Sequence, residues 1–291
     1  MESPTSTLSN AETVDADARK VSLFTVPALE VGIANLKTAS FPPSNDTVFF
    51  LVGSSDKSED RWLIKVPLLR RQTERELRAS TVLGKRAFNN FIVFGAPIKC
   101  VEPEFQHLIG FAMPFYPYSL HMLTEYLDGV SMEEREDIAL KIAQRLSVAI
   151  RYAHRRGLLH CDIKPANILV DEHGERLADW GCCRYASDAH LRESLQSGYG
   201  TPRYQVVLES DWSMKMVDEV GLAMMILELI GLLQLEDVES PRQRLESVIE
   251  VVESVRLESL RASLLHLCRR RKTRASKTRS RERPDSQTRE G

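Results

Sequence analysis

The residues able to do chemistry gather in two short stretches, HCDIKPANILV from His160 and LADWGCC from Leu177. If the DEHGE between them turns tightly, ILV and RLA pair as a hairpin. Asp162 then lies in the loop before the hairpin, Asn167 at its start and Asp179 just past its end, all at the same end. Three oxygen donors converge there. Hard oxygen ligands that leave positions open suit Mg²⁺, which keeps waters and is shared with substrate phosphates. A carboxylate left over can orient and deprotonate a hydroxyl nucleophile. Lys164, two residues beyond Asp162, can neutralise charge on a phosphoryl group in transfer. Any one of these residues alone would read as a capped turn or a surface charge; together they point to phosphoryl transfer.

Such side chains need a frame. Ser131 and Glu134 form a capping-box pattern. Beyond it Ile138, Ala139, Ile142, Ala143, Leu146, Ala149, Ile150 and Ala153 recur at helical spacing on one face, so a long amphipathic helix should deliver the chain to His160. Asp218 opens a second helix, within the run VGLAMMILELIGLLQL. That run contains Glu228 and is shorter than the roughly 20 apolar residues of a membrane span, so it reads as a buried helix. Upstream, TVFFLVG and RWLIKV read as a hairpin. LLRRQTERELRASTVL, between Pro67 and Gly84, reads as a helix. FIVFGAPIKC and HLIGFAMPF read as further extended runs. Sheet with one inserted helix, followed by a mostly helical remainder, is an α+β pattern.

With 291 residues, 43% of them apolar, the chain can bury a core of one large domain or two joined lobes. Residues 1–20 carry neither signal-peptide nor transit-peptide character and read as a disordered acidic tail. The five cysteines Cys100, Cys161, Cys182, Cys183 and Cys268 contain no CxxC pair, which favours a reducing compartment, cytosol or nucleus. The adjacent Cys182 and Cys183 read as small buried hydrophobes in preference to a redox switch. Net charge is only −2, but residues 269–291 hold ten Lys or Arg and three acids, leaving 29 basic and 38 acidic residues elsewhere. Such a basic tail is solvated, addresses a nucleus, or touches nucleic acid or a membrane surface.

These motifs together resemble the eukaryotic protein kinases over roughly residues 21–275. The resemblance implies a two-lobed fold: a β-rich small lobe over 21–113 and a mainly helical large lobe over 114–268, with a basic tail at 269–291. HCDIKPAN is similar to the catalytic loop, making Asp162 the base, Lys164 the phosphate-contacting lysine of Ser/Thr enzymes and Asn167 a metal ligand. DWG resembles the metal-binding DFG element, with Asp179 as principal Mg²⁺ ligand and Trp180 in place of phenylalanine. LIKV implies that Lys65 grips the ATP phosphates, with Glu76, or alternatively Glu74, as its ion-pair partner. In GTPRY, Thr201 should bridge Asp162 and Lys164, and Asp218 should hold the catalytic-loop backbone. The implied cofactors are ATP and Mg²⁺, and the implied partner is a protein bearing a Ser or Thr hydroxyl, met by a monomer with no membrane attachment.

The chain also departs from that pattern. LKTASFPPSNDTVFF, where a glycine-rich phosphate loop is expected, contains no glycine, which implies a weaker grip on nucleotide. Ser80 or Arg78 stands where an apolar residue is expected behind the site. Cys161 replaces the arginine that receives an activating phosphate, which argues against switching by phosphorylation of Tyr185, Ser187, Ser194, Ser197 or Tyr199. YQVVLES replaces the APE element, leaving Glu209 and Arg274 as an offset latch. The expected function is a divergent Ser/Thr protein kinase. The alternatives are a pseudokinase acting as a nucleotide-binding or scaffold module without turnover and, less favoured by Lys164 and GTPRY, a small-molecule phosphotransferase.

Overall fold

The computed structural model describes residues 22–26, 29–32, 37–38, 47–52, 62–67, 69–84, 91–100, 109–208, 212–234 and 244–269. Both expected tails, beyond Arg269 and before Ser22, lie outside these residues, as do Glu209, Arg274 and most of the glycine-free segment.

Seven strands make one sheet: β1 (Ser22–Val26), β2 (Leu29–Gly32), β3 (Lys37–Thr38), β4 (Thr47–Val52), β5 (Trp62–Pro67), β6 (Ala96–Cys100) and β7 (Ile109–Pro114). Their spatial order is β2-β1-β6-β7-β5-β4-β3. The aromatic and β-branched runs TVFFLV and WLIKVP pair antiparallel with Phe49 opposite Lys65, as their pattern predicts. Because β5 lies between β4 and β7, its middle residues are buried and Lys65 is only 5% exposed. Helix α1 (Arg70–Leu83) starts just past Pro67 and stops at Gly84, which takes φ 69°, a conformation open to glycine without steric cost. Its buried stripe is Glu76, Ala79 and Leu83, so a carboxylate occupies a core-facing position and needs a partner there.

The run FIVFGAPIKC is not one strand. Only Ala96–Cys100 joins the sheet, while Ile92 makes a parallel bridge with Leu177 of the large lobe. The physical reason lies at Gly95: a β-carbon there would overlap that of Phe111, so the chain packs edge-on against β7 before entering the sheet.

The large lobe is built on α3 (Met132–Arg155), whose capping box at Ser131 and Glu134 is present in full. Every member of its predicted apolar face is buried except Ile138, which is half-buried. After α2 (Leu120–Leu123) and α4 (Leu191–Gln196), α5 (Met216–Leu229) runs through the core, with every residue buried except Glu228. Burying a Leu, Ile or Met side chain stabilises by about 1.5–3 kcal/mol, so α5 is held by packing. Helices α6 (Arg244–Glu253) and α7 (Glu258–Cys268) cover it. Glu136 on α3 accepts from the backbone N–H groups of Arg256 at 2.9 Å and Leu257 at 2.7 Å, fixing the start of α7.

Between the lobes β8 (Tyr118–Ser119), β10 (Ile168–Asp171) and β11 (Gly174–Leu177) form a small sheet, and β9 (Leu158–Leu159) pairs with β12 (Arg184–Tyr185). The hairpin expected around DEHGE is β10–β11. The molecule has the two-lobed α+β architecture, and among the described residues no helix is long and apolar enough to cross a membrane.

Candidate active site

Lys65 projects from the buried centre of β5. Its Nζ donates to Glu76 Oε1 at 2.5 Å and to Asp179 Oδ1 at 2.6 Å, joining strand, helix α1 and the segment after β11. Glu74, the alternative partner, instead pairs with Arg70 on the exposed face. Burial alone would pull the Lys65 ammonium down; Asp179 and Glu76 together hold it above the ordinary range. Burial pushes Glu76 up against the opposing pull of Lys65. Burial would also raise Asp179, but Lys65 and the Gly181 N–H outweigh it and bring its carboxyl down to about 2.

Asp162 lies on the loop after β9. Its Oδ1 accepts from the Thr201 N–H at 2.7 Å. Its Oδ2 accepts from Asn167 Nδ2 at 3.0 Å and lies 3.0 Å from Lys164 Nζ. Lys164 Nζ also donates to Thr201 Oγ1 at 2.6 Å, so Thr201 bridges Asp162 and Lys164 as the sequence predicts. Asn167 closes the 3₁₀ turn Pro165–Asn167 immediately before β10, and its Nδ2 also donates to the Asp162 carbonyl at 2.8 Å.

This loop is held from beneath. Asp218, 1% exposed on α5, accepts from the backbone N–H groups of His160 at 2.8 Å and Cys161 at 2.7 Å and from His154 Nε2 at 2.7 Å. Burial would raise the Asp218 carboxyl, but His154 and the loop amides keep it low. His160 donates from Nε2 to the Ala178 carbonyl at 2.9 Å and accepts the Asp162 N–H on Nδ1, linking the two halves of the motif.

The protein kinase domain family matches residues 104–276, more than half of the chain. The chain belongs to the protein kinase family. Among curated relatives, CBL-interacting protein kinase 19 of Oryza sativa subsp. japonica is 41% identical over 71 residues, 24% of this chain and 14% of that protein. The serine/threonine-protein kinase RUNKEL of Arabidopsis thaliana is 39% identical over 102 residues, 31% of this chain and 7% of that protein. CBL-interacting protein kinase 33 of Oryza sativa subsp. japonica is 29% identical over 133 residues, 41% of this chain and 29% of that protein. The matches thus span less than a third of these relatives' lengths. A chain of the CAK complex from Chaetomium thermophilum, solved bound to ATP-γ-S, is similar in fold with TM-score 0.55 and 18% identity, covering 74% of this chain and 68% of that one.

In this chain Trp180 is wholly buried, edge-on to the His160 ring at 4.6 Å, and its Nε1 donates to the Val93 carbonyl at 3.0 Å. The indole fills the core behind the site, whereas Ser80, at the position expected to be apolar, is half-buried and turns its hydroxyl back to the Leu77 carbonyl at 2.8 Å. Cys161 takes φ 65° and is 1% exposed. Its thiol is raised by burial and by Asp218. Burial, with Glu76 adding, pushes the Cys183 thiol to about 12, and burial together with Asp162 and Asp179 raises Cys182. Thiols held in this way are poor nucleophiles. Tyr199 is buried and its hydroxyl is engaged with the Val206 backbone, so it offers no phosphorylation site in this arrangement.

Two contributors, one of them the glycine that heads GTPRY, had no role assigned from the sequence. His154 was detectable only as a histidine next to the buried stripe of α3. Gly200, at φ 51°, packs so closely that a β-carbon would overlap the Cys161 carbonyl oxygen and come within 2.7 Å of Asp162 Oδ1.

Proposed function

We propose that the chain catalyses transfer of the ATP γ-phosphate to a Ser or Thr hydroxyl of a protein. The observation that carries this reading is the Asp162 carboxylate, oriented by Thr201, Asn167 and Lys164 and linked through His160 to the segment in which Asp179 pairs with Lys65. Asp162 would orient the acceptor hydroxyl and take its proton, and Lys164 would meet the charge developing on the transferred phosphoryl group. Lys65 would bind the α- and β-phosphates, with Glu76 holding its ammonium in place.

The donor set fits a magnesium nucleotide. Asn167 commits its amide nitrogen to Asp162, leaving the amide oxygen for a cation, and the Asp179 side chain is 44% exposed despite its bond to Lys65. Among the described residues no cluster of three His, Cys, Asp or Glu closes around a metal. A cation held by Asn167 and Asp179 therefore takes its remaining ligands from phosphate and water, as Mg²⁺ prefers. Bound Mg²⁺ would supply neutralisation of the phosphate charge. The Ser/Thr kinase names of the relatives support the acceptor class, and the neighbour solved with ATP-γ-S supports the nucleotide.

The deciding experiment is phosphorylation of a mixed protein substrate with labelled ATP and Mg²⁺, with Asp162→Asn as the blank. Label transfer by the wild type alone supports the reading; equal labelling by both proteins removes Asp162 from the base role. A scaffold without turnover is the second reading, favoured by the glycine-free segment before Lys65. In that case ATP would give no Mg²⁺-dependent thermal stabilisation.

A further inference from the structure

The segment that follows Thr201 is gripped by an arginine from a distant helix. Arg244 opens α6, is 8% exposed, and donates from a single nitrogen, Nη1, to the carbonyls of Pro202 at 2.5 Å and Gln205 at 3.0 Å. Those carbonyls flank the 3₁₀ turn Pro202–Tyr204. On one side the turn begins at Thr201, bonded to both Asp162 and Lys164. On the other it is closed by Tyr199, whose hydroxyl accepts the Val206 N–H at 2.8 Å, and by Gln205 Nε2, which donates to the Tyr199 carbonyl at 2.5 Å.

A buried guanidinium held only by these carbonyls is an expensive fastening, and Arg244 Nε has no hydrogen-bond partner among the described residues. A guanidinium nevertheless suits the task, because it is always charged and more weakly hydrated than an ammonium and so is buried against carbonyls at lower cost. Both contacts lie on the acceptor side of the cleft, and neither reaches Lys65, Glu76, Asp179 or Asn167.

We propose that Arg244 is a positioning residue for the protein acceptor: it holds the turn after Thr201 against Asp162, so that an incoming hydroxyl meets the carboxylate at the right height. The acceptor readout rests on the kinase reading above, while the placement of the turn does not.

The test uses the full chain carrying Arg244→Ala or Arg244→Lys. Hydrogen exchange is followed at the Thr201, Tyr204, Gln205 and Val206 amides, all bonded in the wild type. These amides should exchange about tenfold faster in Arg244→Ala while those of α5 and α6 keep their rates. Unchanged exchange, or acceleration spreading through α6, overturns the proposal. In parallel, KM for a degenerate Ser/Thr peptide mixture should rise at least about tenfold, with KM for ATP and peptide-free Mg²⁺-ATP hydrolysis within about twofold of wild type. Arg244→Lys should fall between. An equal loss in hydrolysis and peptide transfer also overturns it. If the wild type transfers no phosphate, the kinase reading fails, and the exchange data still decide the role of Arg244.

Discussion

Asp218 Oδ1 accepts the backbone N–H of Cys161 at 2.7 Å, and Cys161 is a non-glycine residue at φ 65°. Left-handed backbone costs an L-residue roughly 1–2 kcal/mol, so the turn that presents Asp162 is imposed from below by a buried carboxylate. In Asp218→Asn the amide offers one acceptor oxygen where the carboxylate offered two, and a neutral group where three donors met a charge. The loss should be about 3 kcal/mol, since hydrogen bonds to charged groups contribute roughly 1.5–3 kcal/mol each. Urea unfolding at neutral pH measures it, and a change below about 1 kcal/mol would show that the loop holds its own shape.

The Lys65, Glu76 and Asp179 cluster should leave a mark on stability against pH. Asp179 is depressed from 3.8 to about 2, so its contribution is complete above 3.8 and is lost as pH falls towards 2. Lys65 is raised above 10.5, so its contribution is complete below that value and is lost only in strong alkali. Glu76 is raised above 4.5, so it works in the opposite sense and offsets part of the gain above that pH. Lys65→Met should flatten the acid limb between about pH 4 and 2. It should also cost about 3–5 kcal/mol near neutrality by leaving Glu76 buried and unpaired. Urea midpoints of both proteins across the range check this; parallel acid limbs would mean that the Lys65–Asp179 pair is not formed in solution.

Asp162→Asn keeps an oxygen for the Thr201 amide but removes the proton acceptor. Phosphoryl transfer should fall by roughly 10²–10⁴, the usual worth of a positioned general base. The thermal shift with Mg²⁺-ATP should persist, because the Lys65–Asp179 pair is untouched and Asn167 Nδ2 keeps its bond to the backbone carbonyl of residue 162. Loss of that shift would place Asp162 in nucleotide binding.

Gly200→Ala puts a methyl group against the Cys161 carbonyl and 2.7 Å from Asp162 Oδ1, at a backbone φ of 51°. Neither neighbour is a flexible chain end, so the segment must move. Transfer should drop at least about a hundredfold, as expected when a reacting group is displaced by about 1 Å. Wild-type turnover in this variant would show that the turn has slack.

Trp180→Phe restores the residue usual at this position of the motif, yet should weaken this chain. The change removes the bond to the Val93 carbonyl and leaves volume unfilled in a site of zero exposure. A loss of about 1–3 kcal/mol follows, read as a lower unfolding midpoint. An unchanged or higher midpoint would show that the pocket closes around the smaller ring.

Much of this site was legible in the sequence because its residues sit close together in the chain. The hairpin β10–β11 follows Asp162 within 15 residues, and the capping box, the α3 stripe, Pro67 and Gly84 are local signals that set local structure. The choice between Glu74 and Glu76 was less accessible: both lie on one amphipathic helix, and only the rotation of α1 against β5 puts Glu76 on the buried stripe. The contact made by Arg244 and the packing role of Gly200, which heads GTPRY, were illegible for a related reason. A hydrogen bond spanning 42 residues, or a missing β-carbon beside a carbonyl, has no periodicity to betray it. The extended run around Ile92 did not reveal its two separate pairings, because apolar alternation does not say which strand a segment will meet.

At the back of the cleft, Tyr152 of α3 donates its hydroxyl to the Leu83 carbonyl in the last turn of α1 at 2.9 Å, and the Val93 and Leu177 amides join the 91–93 segment to β11. This seam ties the end of α1, the helix that carries Glu76, to the large-lobe helix α3, so the partner of Lys65 is braced by both halves of the molecule.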